Sequence, residues 1–433
     1  MTNNASNEAL TIQGGTPLSG EVTVKRAKNS ALYLILASLL TTEPIRLQDV
    51  PRLSDVDVIL DILRHVGVDV RWHGRDLFLQ AKHIHTCSAP YSLVSKMRAS
   101  FVIMGALLAR CGESRVSMPG GCAFGPRPID RHIRAFKSLG VTISEEGGDF
   151  YARRDDLLSG RVVFEAPTVG GTQNVILACA ASSREVIIEN AALEPEVGDL
   201  CTMLSEMGAE ITGAGTSVIT IRGVEGLKGV TYRPISDRIE AGTFMMATAA
   251  TRGVVTLRDV DAGIFGQVID KLRESGVRIE VEEANSLLVD ARGELRPIDV
   301  EATEYPGFPT DLQAPFSSYL ATIPGRSTVR DRVYPDRFTH VAELQRAGVD
   351  LKLNDRTLEI FGGDLSPARL HAADIRAGGA LVIAALAAPG RSVVTGVKYL
   401  DRGYEALGER LRGLGANVHR FGIPRDLATG TYG

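Results

Sequence analysis

The stretch Arg64-His65-Val66-Gly67-Val68-Asp69-Val70-Arg71-Trp72 contains the end of one structural element and the start of another. Before it, Val58, Ile59, Leu60, Ile62 and Leu63 recur at helical spacing; after Gly67, apolar and polar residues alternate as in a strand. Between the two, Gly67 can take the left-handed backbone of a helix C-cap. The signature returns as KSLGVTISEE around Gly140, SEMGAEITG around Gly208, RESGVRIEV around Gly276, QRAGVDLKL around Gly348 and RGLGANVHR around Gly415. Intervals of 73, 68, 68, 72 and 67 residues define a period of about 70.

A second half-unit precedes each signature: a helix rich in Ala, Leu and Ile, a turn, then a β-branched strand. It reads Ser30–Leu40 with Ile45–Leu47, Phe101–Ala109 with Arg115–Met118, and Val175–Ala181 with Val186–Ile188. It returns as Phe244–Ala250 with Val254–Leu257 and Ala380–Ala387 with Ser392–Val394. In the remaining copy, Phe316–Ala321 with Ser327–Val329, Pro315 is expected to interrupt the helix. These helices are apolar nearly all round, which predicts burial inside the fold. Six βαβ-type units predict an α/β protein of two domains with three units each, crossing near Tyr232-Arg233-Pro234, with a ligand cleft between the domains. A repeat scaffold that only binds other proteins is the alternative; loops carrying Arg, Asp, Cys and Gly together argue against it.

Composition excludes several classes. The 433 residues are 44% hydrophobic and 23% charged, and 48 basic against 52 acidic residues leave a net charge of −4. No excess of positive charge is available for dedicated nucleic-acid binding. The longest apolar run, Ser30–Leu40, is about half the length that spans a bilayer, so no membrane partner is expected. The polar opening MTNNASNEAL does not read as a signal peptide. Five cysteines, odd in number and without a C-x-x-C pair, predict no disulfide framework and a reducing cytoplasm.

Three stretches carry chemistry. Lys25-Arg26-Ala27-Lys28-Asn29 precedes the first buried helix, and a Lys beside free helix N–H groups makes an anion site. Arg98, Arg238 and Arg376 occupy the equivalent point in other copies, whereas the fifth copy offers the acid Asp311. Several cations and one carboxylate suit a phosphorylated substrate whose reaction needs one base; caps and ion pairs between repeats are the other reading. The second stretch, Pro119–Asp130, is a Gly- and Pro-rich loop with Cys122 five residues from Arg127, a setting that favours a reactive thiolate. Cys111, Cys179 and Cys201 lie in apolar or helical contexts, and Cys87 in a loop without a basic neighbour. The third is Asp401-Arg402-Gly403-Tyr404, which also suits a helix cap. His83-x-His85 has no third ligand nearby, and neither metal spacing nor a nucleotide-binding glycine fingerprint is present, so no metal or cofactor is expected.

These motifs together resemble the UDP-N-acetylglucosamine enolpyruvyl transferase family, from about Leu10 to Arg420. The resemblance is carried by AKNSAL at 27–32, MRAS at 97–100, PGGCAFGPRPID at 119–130, TVGGT at 168–172 and EPE at 194–196. It continues in DRIEAGTF at 237–244, FPTDLQA at 308–314, DRF at 336–338, DIRA at 374–377 and DRGYE at 401–405. It implies an inside-out α/β barrel of two similar domains, residues 25–233 and residues 1–24 with 234–433. The implied reaction moves the enolpyruvyl group of phosphoenolpyruvate to the sugar 3-hydroxyl in a monomeric, cytoplasmic enzyme. Residue by residue, Cys122 corresponds to the cysteine that protonates or captures phosphoenolpyruvate, and Asp311 to the base. Lys28, Arg127 and Arg402 correspond to its phosphate ligands, with Arg98 and Arg376 shaping the anionic site. Asn29 corresponds to a sugar contact, and Arg127, Pro128, Ile129, Asp130, Thr168, Val169, Gly170 and Val333 to the lining of the uridine diphosphate pocket.

Four positions depart from the family pattern. Lys25-Arg26 stand where Ser-Gly is usual, Ala166 where some members carry a cation, Leu193 where Arg is common and Tyr399 where His is common. They bear on nucleotide affinity and closure more than on chemistry. A transferase acting on shikimate 3-phosphate or on another sugar nucleotide, and a catalytically silent sugar-nucleotide binder, remain as rivals.

Overall fold

In a computed structural model, the structure describes residues 8–120, 129–181, 183–282 and 285–422, with Ser183 described by its backbone alone. The chain packs as two compact units: Arg26–Ile235, the central unit, and Met1–Lys25 with Ser236–Gly433, the split unit. Among the described residues each unit has three four-stranded sheets. No helix of the described residues is long and apolar enough to cross a membrane.

One repeat shows the plan. Leu158–Val163 leads to the helix Val169–Ala180 and then to Ser183–Glu189, which pairs parallel to the first strand. A second helix, Pro195–Glu206, follows, and the hairpin Glu210–Thr212 with Val218–Arg222 completes the sheet antiparallel. All six signature glycines, Gly67, Gly140, Gly208, Gly276, Gly348 and Gly415, have positive φ between 84° and 109°. That left-handed turn ends the outer helix and aims the chain into the hairpin.

The helix before each second strand is the one with no polar face. Lys28–Ala37, Ile103–Cys111, Val169–Ala180, Arg238–Ala250, Gln313–Leu320 and Ile375–Ala387 are all largely buried. In the split unit its three members pack against one another; in the central unit Ile103–Cys111 packs on both of the others. Apolar helices in the middle and sheets around them follow from the composition of the two helix types.

Two expectations are corrected. Pro315 does not interrupt its helix: Gln313–Leu320 begins two residues earlier, after the turn Thr310–Leu312, so Pro315 sits in the first turn, where no N–H is needed. The cysteines are not all unpaired, for Cys87 and Cys111 form a disulfide. Strand Ser88–Ala89 pairs parallel with Glu113–Ser117, and the Cys87 carbonyl accepts from Arg115 N at 2.8 Å. That pairing carries residue 87 back beside the end of the helix Ile103–Cys111, a proximity that spacing along the chain does not reveal.

A crosslink between residues 24 apart removes loop-closure entropy worth about 3 kcal/mol from the unfolded chain. Thermal unfolding of a Cys87→Ala/Cys111→Ala variant should therefore show a loss of about that size, and reductant should cause the same loss in the parent protein only. Equal melting of parent and variant without reductant would rule out the crosslink.

Candidate active site

The buried helices begin where the candidate residues lie. In the central unit, Lys28 is the first residue of its helix, and its Nζ lies 3.1 Å from Asp55 Oδ2. Both are buried, at 7% and 4% exposure, so the ammonium is held in a desolvated pair rather than in water. Asn29, beside it, is partly buried. One residue on, the Ser30 hydroxyl donates to Asp199, which also accepts from the Tyr232 hydroxyl at 2.6 Å and Ile235 N at 3.2 Å. Burial raises the Asp199 pKa, while these hydrogen bonds pull it down.

A second group in the same unit joins Ile129, Asp130, Arg98 and Thr168–Gly170. Asp130 opens the helix Asp130–Ser138, and Arg131 Nη1 donates to the Pro167 carbonyl at 3.2 Å, which ties that helix to the turn before Thr168. The Thr168 hydroxyl caps the next buried helix by accepting from Gly171 N at 3.4 Å. A cavity of about 540 Å³ opens beside Ile129 and Asp130, lined also by Met118, Ile133 and Phe150. Arg98 opens the turn Arg98–Val102 and lies near enough to His132 to act on its charge. Burial first, then Arg98, lowers the His132 pKa to about 3.

In the split unit the centre is Asp311. Arg376 Nη2 donates to its Oδ2 at 2.6 Å, and Arg337 Nη1 lies 2.6 Å from its Oδ1. Arg376 is the second residue of Ile375–Ala387, whose N-cap Asp374 accepts from Arg376 N at 2.8 Å and Ala377 N at 3.0 Å. Burial lowers the Arg376 pKa, but Asp311, Tyr404 and Asp237 together more than offset this, and the net shift is upward. Arg337 also donates to Thr310 Oγ1 at 3.2 Å, and the Thr310 hydroxyl donates to Asp331 Oδ2 at 2.6 Å. The other Asp331 oxygen accepts from Val333 N at 2.9 Å and Tyr334 N at 2.8 Å, which brings Val333 to the same place. Arg402 lies in the turn with Gly403, where a Cβ would meet Ile375 Cγ2 at 2.5 Å and Arg376 Nη1 at 3.8 Å. Glycine at 403 lets that turn lie against Ile375, with Arg376 at ordinary contact distance.

Asp311, Val333, Arg376 and the Arg402 turn thus come together in the split unit. Arg98, Ile129, Asp130 and Thr168–Gly170 come together in the central unit, with Lys28 and Asn29 at another helix start there. Cys122, Arg127 and Pro128 lie outside the described residues. Asp55, His132, Asp331 and Arg337 emerge only from the structure; of these, Arg337 stands in the DRF motif, whereas nothing in the sequence marks the others. Among the described residues no group of three or more His, Cys, Asp or Glu could hold a metal ion.

Comparison with known proteins gives this arrangement its relatives. A family model described as EPSP synthase (3-phosphoshikimate 1-carboxyvinyltransferase) matches residues 12–411. The chain belongs to the EPSP synthase family. It is similar to a protein of Thermus thermophilus named UDP-N-acetylglucosamine 1-carboxyvinyltransferase, 54% identical over 98% of this chain and 99% of that one. A Deinococcus radiodurans protein of the same name is 52% identical over 94% and 96%. The enolpyruvyl transferase NikO from Streptomyces tendae superposes with a TM-score of 0.87 at 26% identity, over 97% of this chain and 100% of that one. EPSP synthase of Acinetobacter baumannii shares the fold, with a TM-score of 0.73 at 16% identity over 96% and 100%. The fold is the family's inside-out α/β barrel.

Two buried imidazoles set an acid limit on this family member. Neither His340 ring nitrogen has a hydrogen-bond partner among the described residues, and burial, opposed by Asp374 and helped to a smaller extent by Arg337, brings its pKa to about 4. His340 and His132 both titrate lower in the folded chain than their ordinary 6.5, so their contribution is fully present above pH 6.5. As pH falls below that, each costs about 1.4 kcal/mol per pH unit until its folded pKa is reached. The melting temperature should therefore fall as pH drops from 7 to 5, and it should fall less steeply in His340→Gln; an unchanged dependence on pH in that variant would remove His340 from the account.

Proposed function

We propose that the chain transfers the enolpyruvyl group of phosphoenolpyruvate to the 3-hydroxyl of UDP-N-acetylglucosamine, releasing phosphate, as the first committed step of peptidoglycan synthesis. The observation that carries the reading is the 54% identity, over nearly the whole chain, to a protein named UDP-N-acetylglucosamine 1-carboxyvinyltransferase. The candidate residues suit the chemistry. In the addition, the sugar oxygen bonds to C2 of phosphoenolpyruvate as C3 gains a proton; in the elimination, C3 loses a proton as the C2–phosphate bond breaks. Cys122 is the proposed donor to C3 and Asp311 the proposed acceptor of the hydroxyl proton. Lys28, Arg127 and Arg402 hold the phosphate, with Arg98 and Arg376 completing the anionic site. Asn29 contacts the sugar, and Arg127, Pro128, Ile129, Asp130, Thr168, Val169, Gly170 and Val333 line the pocket for uridine diphosphate.

Asp311 between two guanidiniums is held ionised, and so held it is a weak base. An incoming anion competes for the same guanidiniums. Its arrival weakens their hold on Asp311 and raises the basicity of the carboxylate when both substrates are present. The two domains of the reading are residues 25–233 and residues 1–24 with 234–433, and the enzyme works as a monomer on small molecules without a cofactor. The proposed compartment is the cytoplasm, where the Cys87–Cys111 bond has to withstand cellular thiols.

Phosphate release from phosphoenolpyruvate should depend on added UDP-N-acetylglucosamine. Release that depends instead on shikimate 3-phosphate would replace the acceptor, and no release with either would favour the silent binder. Asp311→Ala should cut turnover by about 10²–10⁴-fold with sugar-nucleotide binding retained; near-normal turnover would take the base role from Asp311. Of the five thiols, two are in the disulfide, and Cys179 and Cys201 are buried, with burial pushing Cys201 up to about 12 and Cys179 higher still. A brief alkylation of the native protein, read by peptide mass spectrometry, should therefore label Cys122 first.

A further inference from the structure

One buried histidine, His132, has its proton placed for it by a chain of hydrogen bonds. Gly105 N donates to Asn174 Oδ1 at 2.8 Å. A Cβ at Gly105 would lie 2.5 Å from that oxygen and 2.2 Å from the Asn174 carbonyl, so only glycine permits this approach. With its oxygen taken, Asn174 turns its amide nitrogen to His132 Nδ1 at 2.9 Å. An amide –NH₂ can only donate. Nδ1 must therefore carry the lone pair, and the ring's single proton sits on Nε2.

The ring is 4% exposed, and Phe101 meets it edge-on at 5.5 Å. The helix Val169–Ala180 presents Asn174 and Gly170, one turn apart on the same face, to the ring. A Cβ on Gly170 would stand 3.4 Å from His132 Cε1 and 3.6 Å from Nε2, so the edge bearing the proton lies over the second residue of that helix. Among the described residues the ring's hydrogen-bond partner is Asn174, through Nδ1. The charged group facing the ring is Arg98. A fixed N–H, a guanidinium and the positive end of a twelve-residue helix all favour an acceptor that carries negative charge.

We infer that His132 is a positioning residue whose Nε2–H donates to a diphosphate oxygen of the nucleotide substrate beside Gly170. The inference rests on the transferase reading above and adds to it the group that aims the diphosphate. Because Asn174 opposes a second proton on Nδ1, the donor neither becomes an acceptor nor gains charge across the working pH range. The contribution of this donor to diphosphate recognition is therefore independent of pH.

Replacing Asn174 by Asp tests this with almost no change in shape. The carboxylate still accepts from Gly105 N but now accepts from His132 as well, which moves the ring proton to Nδ1 and leaves Nε2 a lone pair facing the ligand. Titration of UDP into Asn174→Asp at pH 8.5 should show affinity 10–100-fold below the parent, with uridine binding unchanged. Acidification to pH 6 should close the gap between this variant and the parent measured at the same pH, because the ring then gains a second proton on Nε2 while the introduced carboxylate holds the first on Nδ1; comparison at equal pH removes the titration of the UDP phosphate itself. His132→Gln keeps a donor near the Nε2 position and should bind UDP within about threefold of the parent; His132→Asn loses it and should match the loss in Asn174→Asp. The ¹⁵N spectrum of labelled histidine reports the tautomer directly: a pyrrole-type Nε2 in the parent and a pyrrole-type Nδ1 in Asn174→Asp. Parent protein that binds UDP, with all three variants matching it at both pH values, would overturn the inference. A parent that binds no UDP at all would instead overturn the transferase reading.

Discussion

A helix that is apolar on every side cannot lie on a surface, and six such helices govern how this chain is arranged. Burying a Leu or Ile side chain is worth about 1.5–3 kcal/mol, so each helix gains most when neighbours cover its whole circumference. The Ala and Gly positions let partners approach closely, as where Gly242 meets Leu312 and Gly105 meets Asn174. The second helix of each repeat is different: Ser54–Val66 and Gln267–Glu274 bury one stripe and keep charges on the other side. One sequence period thus encodes an inner layer and an outer layer.

The same constraint explains where the chemistry sits. A buried helix has N–H groups at its start that no helical carbonyl satisfies, and they favour carboxylate caps and anionic ligands. Asp237 and Asp374 supply caps in the split unit and Thr168 in the central one. Lys28, Arg238 and Arg376 stand at such helix starts, as cations that carboxylates must balance while they are out of water: Asp55 for Lys28 and Asp311 for Arg376. These pairs keep the buried charges tolerable in the absence of substrate, and the same cations are what an anionic substrate would compete for.

Much of this was legible from the sequence. The six glycine signatures, the small-residue helices and the cation-bearing helix starts came from periodicity and composition, because a positive φ and an all-apolar helix each restrict residue choice. The partners of those cations were not legible. Asp55 reads as an ordinary acid in the first turn of a helix, and Asp331 as the last residue of a strand. His132 looks like one polar residue of an amphipathic helix until Asn174, 42 positions away, reaches its ring. The reading of the cysteines failed for a related reason: spacing along the chain is informative only for ligands or partners within one loop, and Cys87 meets Cys111 through strand pairing.

The last decision belongs to the sheets. By itself the sequence determined that there are six units, where their helices end and which helices are buried, since these depend on residues close together in the chain. Only the tertiary structure decided which strands complete which units. Thr231–Tyr232 comes from the end of the central unit to lie beside Ile45–Leu47 at its beginning. In the split unit Ser19–Thr23 pairs with Val254–Arg258, and Glu8–Gly14 enters between Gly390–Thr395 and Asn417–Gly422. A strand's pattern shows that it needs a neighbour and which face is apolar, but hydrogen bonds between backbones are nearly blind to side-chain identity. The choice of neighbour therefore falls to whichever closure leaves no sheet incomplete over the buried helices.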